Sequence, residues 1–333
     1  MPLPERLAQT VGLLMKVEAV YGVAETLSNT TDGCFLYLGD GDPPNPTEID
    51  YAFDGKIGRA PGNLTNTRRT TPAGGSRAFE VPIQARGLGS LYSAILTPPN
   101  EVHRGLQGSG FVPTYSATPT PQWRYDMAGP GVVSGLTSRM FAHGSQWDGV
   151  GVLLSLEIES EGLGVPVWRY RAVSIADLPT DQALPVVTYA QANILPPVAQ
   201  GVTLTIGAYT PGIVKSVRFS MNSQTDKPRI AQNLAGGHAG FNRGAGEPTL
   251  VVTMERPARS NFDPEALKAS AAPQAVVWGV GGTQYNRWRL SMPTSQVTAV
   301  GPGSDNDSAT CEVTLVGCGS TPTANDAAHF LLN

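Results

Sequence analysis

Apolar residues recur along this chain at two periods, and the period changes where the turn residues fall. Leu7, Val11, Leu14 and Met15 recur at helical spacing, with Glu5 in the first turn, and predict a helix over Leu3 to Glu18 that stops at Tyr21-Gly22. The segment from Gly39 to Pro46 is a turn, because its prolines lack donors and fix φ. Beyond it the period drops to two: Ile49, Tyr51 and Phe53 alternate with polar neighbours as a half-buried strand does. Phe79, Val81 and Ile83 resume the alternation after a long loop. Leu88 to Leu106 reads as a helix interrupted at Pro98-Pro99, and from Trp123 onward the signal is almost wholly β. Strands are expected over Leu136–Phe141, Val150–Ile158 and Val165–Ile175, with Gly162 and Gly164 in a hairpin between the last two.

A second set follows. Val202, Leu204 and Ile206 alternate, Val214–Met221 and Thr249–Met254 read as strands, and Asp263-Pro264-Glu265 is a helix start, with Asp as cap and Pro at the first helical position. That helix is expected to end near Ser270. Val276–Val280, Trp288–Met292, Ser295–Val300 and Thr310–Val316 complete the set. In both halves a strand, a long polar loop and a strand recur in the same order, the loops being residues 54–75 and 222–248. Gln146-Trp147 followed by Leu154-Ser155-Leu156 echoes Gln284-Tyr285 followed by Leu290-Ser291-Met292. The pattern predicts a mainly β fold with short helices, built as tandem modules over residues 1–176 and 199–333, joined by a Pro- and Ala-bearing linker, 177–198. Residues 1–35 would form the arm and helix of the first module.

Composition narrows the class. The 333 residues exceed the usual single domain, and charged residues make up only 15%. With 38 Gly and 28 Pro, many turns and short strands are favoured over long helices. A formal charge of −4 argues against nucleic acid as a tightly held ligand, which needs clustered Lys and Arg. No stretch approaches the roughly 18 apolar residues of a membrane-spanning helix.

Candidate chemistry is sparse. Asp40, Asp42, Asn45, Glu48 and Asp50 gather oxygen ligands, but without the spacing of a calcium loop. The four histidines lie singly, and Cys34, Cys311 and Cys318 show no metal spacing, although the last two are close enough in sequence to pair. Glu157, Glu159 and Glu161 alternate, so all three point to one face of a strand and suit a solvent-facing or channel-facing surface. Paired carboxylates with the five tryptophans as sugar platforms leave a rival open, a two-domain β carbohydrate-binding protein or glycoside hydrolase. No nucleophile elbow or phosphate loop is present, no cofactor is expected, and a structural protein is favoured over an enzyme.

Several segments resemble the major tail tube proteins of long, non-contractile-tailed bacteriophages. They are Leu13-Leu14-Met15-Lys16-Val17-Glu18 with Tyr21-Gly22, the run Phe79-Glu80-Val81-Pro82-Ile83-Gln84-Ala85-Arg86-Gly87-Leu88-Gly89, and Gly108-Ser109-Gly110-Phe111. Phe141 with Trp147-Asp148-Gly149, Val214 to Asn222, Thr253 to Arg256 and Asn261 to Ala269 extend the likeness over most of the chain. The resemblance implies two tube-type β-sandwich or barrel modules, each with a flanking helix, whose inner strands join those of neighbouring copies. Relatives build six-module rings, so two modules per chain imply a trimeric ring with pseudo-sixfold symmetry, stacked into a tube through which DNA passes without adhering. Further expected partners are the tape measure protein, the tail terminator and the distal tail proteins, and the expected location is the virion, after assembly in the host cytoplasm. A tail terminator is the alternative virion role. Arg59, Arg68, Arg69, Arg229, Phe241 and Arg243, on the two long loops, are the expected inter-ring contacts, and Glu157, Glu159 and Glu161 the expected acidic lumen residues.

Overall fold

A computed structural model of the chain describes residues 12–34, 36, 47–49, 75–85, 101–117, 122–129, 134–142, 144–176, 180–188, 195–199, 201–221, 223, 227–230, 238–244, 246–282, 286–305, 308–321 and 324–333. Strands β1 (Gly12–Val17), β2 (Gly33–Cys34), β3 (Thr47–Ile49) and β4 (Gly75–Gln84) precede helix α1 (Glu101–Gly108). Then come β5 (Phe111–Ser116), β6 (Gln122–Met127), β7 (Leu136–Ala142), β8 (Ser145–Glu161), β9 (Val167–Ala176) and β10 (Thr180–Asp181). The second half holds β11 (Thr203–Ile206), β12 (Val214–Ser220), β13 (Lys227–Ile230), β14 (His238–Asn242), β15 (Thr249–Glu255) and helix α2 (Pro264–Ser270). It closes with β16 (Gln274–Val280), β17 (Trp288–Asp305), β18 (Ser308–Gly317) and β19 (His329–Leu332). The fold is mainly β, with two short helices among the described residues, and every ladder named below is antiparallel.

The two halves share one topology. In the first, neighbouring strands run β1-β7-β8-β9-β4-β3; in the second they run β11-β16-β17-β18-β15-β12. Each strand holds the same place in chain order within its half, and a helix falls between the third and fourth strands of both series. Even a ladder defect recurs. Leu136 pairs with Val152 and Ser138 with Gly149, while Gln274 pairs with Ser295 and Val276 with Met292, so β8 and β17 each carry an extra residue at one place. These paired bulges set Trp147-Asp148-Gly149 opposite Leu290-Ser291-Met292 in the repeat. The echo read from Leu154-Ser155-Leu156 is therefore out of register, because matching apolar spacing along a strand does not fix which repeat position is meant.

Strands β8 and β17 are long because each serves two layers. The first part of β8 pairs with β7 and its last part with β12; the first part of β17 lies between β16 and β19 and its last part pairs with β18. One core fills the space between layers and runs through both halves. Trp168 stands edge-on to Trp288 with ring centroids 5.2 Å apart, Trp288 edge-on to Trp278 at 4.9 Å, and Phe330 packs on Trp168 and Phe219. The halves also exchange strands, since β19 near the C-terminus pairs with β6 of the first half. Burial of these aromatic side chains with the many Leu, Val, Ile and Met of the same core stabilises the fold, at about 25 cal/mol per Å² of apolar surface.

The helices follow local rules. Asp263 caps α2 by accepting from the Ala266 N–H at 3.0 Å, Pro264 sits at the start, and Ala271 closes the helix in the left-handed region at φ 50°. Helix α1 begins at Glu101, two residues after Pro98-Pro99, and is seated close on the sheet through Gly105 and Gly108. Residues 88–100 of the expected longer helix, Leu88 to Leu106, lie outside the described residues.

Two expectations are corrected. Gly12–Val17 is a strand, paired with β7 on one side and β2 on the other, where a helix over Leu3 to Glu18 was expected. Leu13, Leu14 and Met15 are all buried, and so short an apolar run fits either period until its neighbours are known. The separate strands expected over Trp288–Met292 and Ser295–Val300 are one, because Pro293 falls in the bulge, where its missing N–H breaks no ladder bond.

Candidate assembly face and open strand rims

Seven strands, β4-β9-β8-β12-β15-β18-β17, form one sheet through both halves. The joint between halves is the β8–β12 ladder, which sets Glu157 opposite Ser220, Glu159 opposite Arg218 and Glu161 opposite Ser216. It is extended at both ends, by Met221 N–H donating to Leu156 O and Gly162 N–H donating to Lys215 O, each at 3.0 Å. Alternation puts Tyr170, Leu156, Phe219, Val252 and Val313 in the core. The opposite face bears the residues between them.

Over β8, β12, β15 and β18 that face is mostly polar and lightly charged, whereas at Leu153, Val173 and Ala78 it is apolar and covered by Phe241 of β14 and by Tyr21. Glu157, Glu159 and Glu161 share it, as their spacing predicts, and register puts Glu80, Glu255 and Glu312 there too. Among the described residues its cations are Arg169, Arg171 and Arg218, with Lys215 beside Glu255 and paired with Asp305 at 2.8 Å, so carboxylates outnumber them. Arg218 pairs with Glu157 and Arg169 with Glu159 at 3.6 Å, which makes the glutamates a mixed ladder rather than a bare acidic wall. These side chains are a third to three-fifths exposed, so each pair contributes about 0–1 kcal/mol. Glu161 makes no ion pair among the described residues. Between the charges lie Ser155, Ser216, Ser220, Thr249, Thr253 and Thr314, together with Val167, Val251 and Val316.

Among the described residues, the sheet's two marginal strands lack a full outer partner. Beyond the pairing of Ser295 with Gln274, no described strand lies on the outer side of Gln296–Asp305 in β17, although α2 packs against this strand and Gln296 Nε2 donates to the Ala271 carbonyl at 3.2 Å. At the other margin the described residues of β3 pair with Ser76–Ala78 of β4, and a bridge joins Leu36 to Ile83; no other described residue pairs along that side of β4. Unpaired strand rims are templates for another chain.

The long-loop residues divide. Arg59, Arg68 and Arg69 lie outside the described residues, and Arg229 is described only as backbone of β13. Phe241 and Arg243 are corrections, because they face inward. Phe241 is 1% exposed, in a small core with Leu153, Val173, Tyr21 and Ala78. The Tyr21 hydroxyl accepts from the Phe241 N–H at 2.9 Å and can donate to the Phe241 carbonyl at 3.2 Å. The Arg243 guanidinium donates to the Gly108 carbonyl at the end of α1, and burial pushes its pKa down to about 10. This part of the second long loop is thus a clasp from β14 onto the first half of its own chain. Glu18 anchors the clasp's partner: it accepts from the N–H groups of Gly22 and Gly151, both at 2.7 Å, and bonds Thr137. The signal that could have found it is Glu18 and Tyr21-Gly22 directly after an apolar strand, a polar triplet too close to a core to be a solvated turn.

Enclosed titratable groups are structural. Under α1, His103 Nδ1 bonds the Tyr125 hydroxyl; burial, then the adjacent Arg104, lower the His103 pKa to about 3. Arg104 donates to the carbonyls of Thr31 and Gly33, and burial pushes the Cys34 thiol up to about 11, away from nucleophilic range. The three cysteines are free. Trp123, Trp168, Trp278 and Trp288 are buried and Trp147 half-buried, so they present no sugar platform. Among the described residues no group of three or more His, Cys, Asp or Glu could hold a metal ion. His143, Asp40, Asp42, Asn45 and Asp50 lie outside the described residues, as do the side chains of Glu48 and His238. Neither a protein-family model nor a curated protein matches this chain.

Proposed function

We propose that the chain is a structural protein that joins copies of itself rim to rim into closed rings, and that the rings stack into a hollow tube conducting DNA. The observation that carries this reading is the sheet of seven strands, common to two repeated halves, with a mostly polar outer face beyond the Phe241 cluster and no described strand along the outer side of Gln296–Asp305 or of β3. Closure of a sheet on itself satisfies every rim, and rim contacts of unlike kind generate a ring when the rotation closes. The outer face then lines the bore. Its hydroxyl groups and excess of carboxylates do not hold phosphate, which needs clustered Lys and Arg. A pseudo-sixfold ring of three chains, a location in the virion tail, and end partners of the tape measure, terminator and distal tail kinds follow from the resemblance to phage tail tube proteins.

The test is negative-stain microscopy with sedimentation velocity over a concentration series of the purified chain. Hollow rings or tubes that grow with concentration are expected. A uniform monomer at every concentration refutes the reading.

A further inference from the structure

We infer that the open rim of β17 docks on the β3 rim of a second copy in the register the chain already uses between β8 and β12, and that Gly301, Pro302 and Gly303 make this joint weaker than its internal counterpart. The inference rests on the ring-forming reading above and names the strands and residues that would make the ring.

The repeat supplies the template. β17 holds the place of β8, and β3 the place of β12. After the shared bulge, Val297 falls where Leu154 does, and both are buried. An extra residue at Thr298 then sets Ala299 with Ser155, Gly301 with Glu157 and Pro302 with Ile158. The facing agrees: Ile158 lies opposite buried Trp168 and Pro302 opposite buried Cys311, while Glu157 and Gly301 lie opposite the exposed Arg169 and Glu312. On the other strand, Thr47 opposite Ala78 takes the place of Ser220 opposite Thr249. Since Glu157 pairs with Ser220 inside the chain, Gly301 of one copy meets Thr47 of the next.

The internal joint shows what the external one lacks. Leu156 and Gly162 bond β12 through their main chains, so the even-numbered residues of β8 face that strand, Ile158 among them. Its counterpart, Pro302, has no N–H to offer. Handedness fixes the missing donor on the open side of β17, the one place in a ladder where a proline breaks no existing bond. Gly301 and Gly303 stand where Glu157 and Glu159 form ion pairs with Arg218 and Arg169. Glycine also orders at greater entropic cost than other residues. A rim of this composition resists pairing between two copies alone, yet its remaining main-chain groups are available once closure of a ring supplies every joint together.

The test uses the full chain. Thr47→Cys with Gly301→Cys places thiols at a position where the ladder leaves side chains close, at a Cα separation of about 4.5–5.5 Å that suits a disulfide. Oxidation is expected to lock rings into covalent multimers, while each single variant stays uncross-linked. Rings that form without cross-links overturn the joint and leave the ring reading standing; a chain monomeric at every concentration overturns both. Pro302→Val restores the donor, and the concentration of half-assembly is expected to fall roughly 2- to 10-fold per joint. An unchanged half-assembly concentration, in a variant whose melting matches the parent, overturns the weakening role of Pro302.

Discussion

Tyr21→Phe deletes one oxygen from the clasp and leaves its ring in place. In the folded chain that oxygen accepts from the Phe241 N–H at 2.9 Å and lies 3.2 Å from the Phe241 carbonyl and 3.3 Å from that of Gly151. The phenyl ring of the variant still packs on Phe241, Leu153 and Val173, so apolar burial is retained. What is lost is polar: an amide N–H in a partly buried setting loses its acceptor, at about 1–3 kcal/mol, and a donated bond worth about 0.5–1.5 kcal/mol disappears. These terms overlap at one site, and the net loss is about 1–3 kcal/mol. Gly240 leaves no easy repair, because its φ of +101° and the 2.7 Å between a built Cβ and the Tyr21 oxygen hold the backbone close. If β14 opens locally, the loss raises its opening equilibrium about 5- to 150-fold. Hydrogen exchange on a peptide spanning His238 to Asn242 reads this directly, with β16 and β18, which do not touch Tyr21, as the unaffected control. A change under about twofold would mean that the hydroxyl does not hold the clasp.

Other substitutions separate further causes. Gly105→Ala ordinarily favours a helix, but here the added Cβ lies 2.6 Å from Cε2 and the hydroxyl of buried Tyr170; the expected result is a loss of about 1–3 kcal/mol in urea unfolding, and a gain would contradict the close seat of α1. His103, with its pKa depressed to about 3, takes up its proton only on unfolding as pH falls below its unfolded value of 6.5. Its stabilising contribution is therefore full above pH 6.5 and is lost toward pH 3, about 2 kcal/mol of it by pH 5 at roughly 1.4 kcal/mol per pH unit. Burial lowers His329 as well, so the check is whether His103→Asn flattens the pH 7-to-5 change in urea midpoint relative to the parent; equal slopes would refute it. Asp263→Ala removes the α2 cap and is expected to cost about 1 kcal/mol in thermal unfolding, and a cost near zero would show that the cap is idle.

What was legible in the chain was periodic. The alternation of Phe79, Val81 and Ile83, the capped start at Asp263-Pro264, and the repeated order of strands around long loops all follow local rules, and each has its counterpart in the structure. The shared facing of Glu157, Glu159 and Glu161 followed from spacing alone. What was not legible depends on partners distant in sequence. Leu13 to Met15 became a strand because β7 and β2 flank it, and no window of a few residues carries that fact. Phe241 and Arg243 looked like exposed loop residues; only the approach of Tyr21 and Gly108 turns them inward. Arg169 and Arg218 neutralise part of the glutamate row through cross-strand register, which no single strand displays. The open rims are a property of sheet order, hidden in the sequence except for the proline and glycines at the end of β17.

Native mass spectrometry of isolated rings counts the subunits that complete one turn of the wall. Three 35.0 kDa chains per ring are predicted, since each polypeptide brings two like segments and one ready-made seam. Six chains per ring, or a particle that never exceeds a single chain, would contradict the proposal.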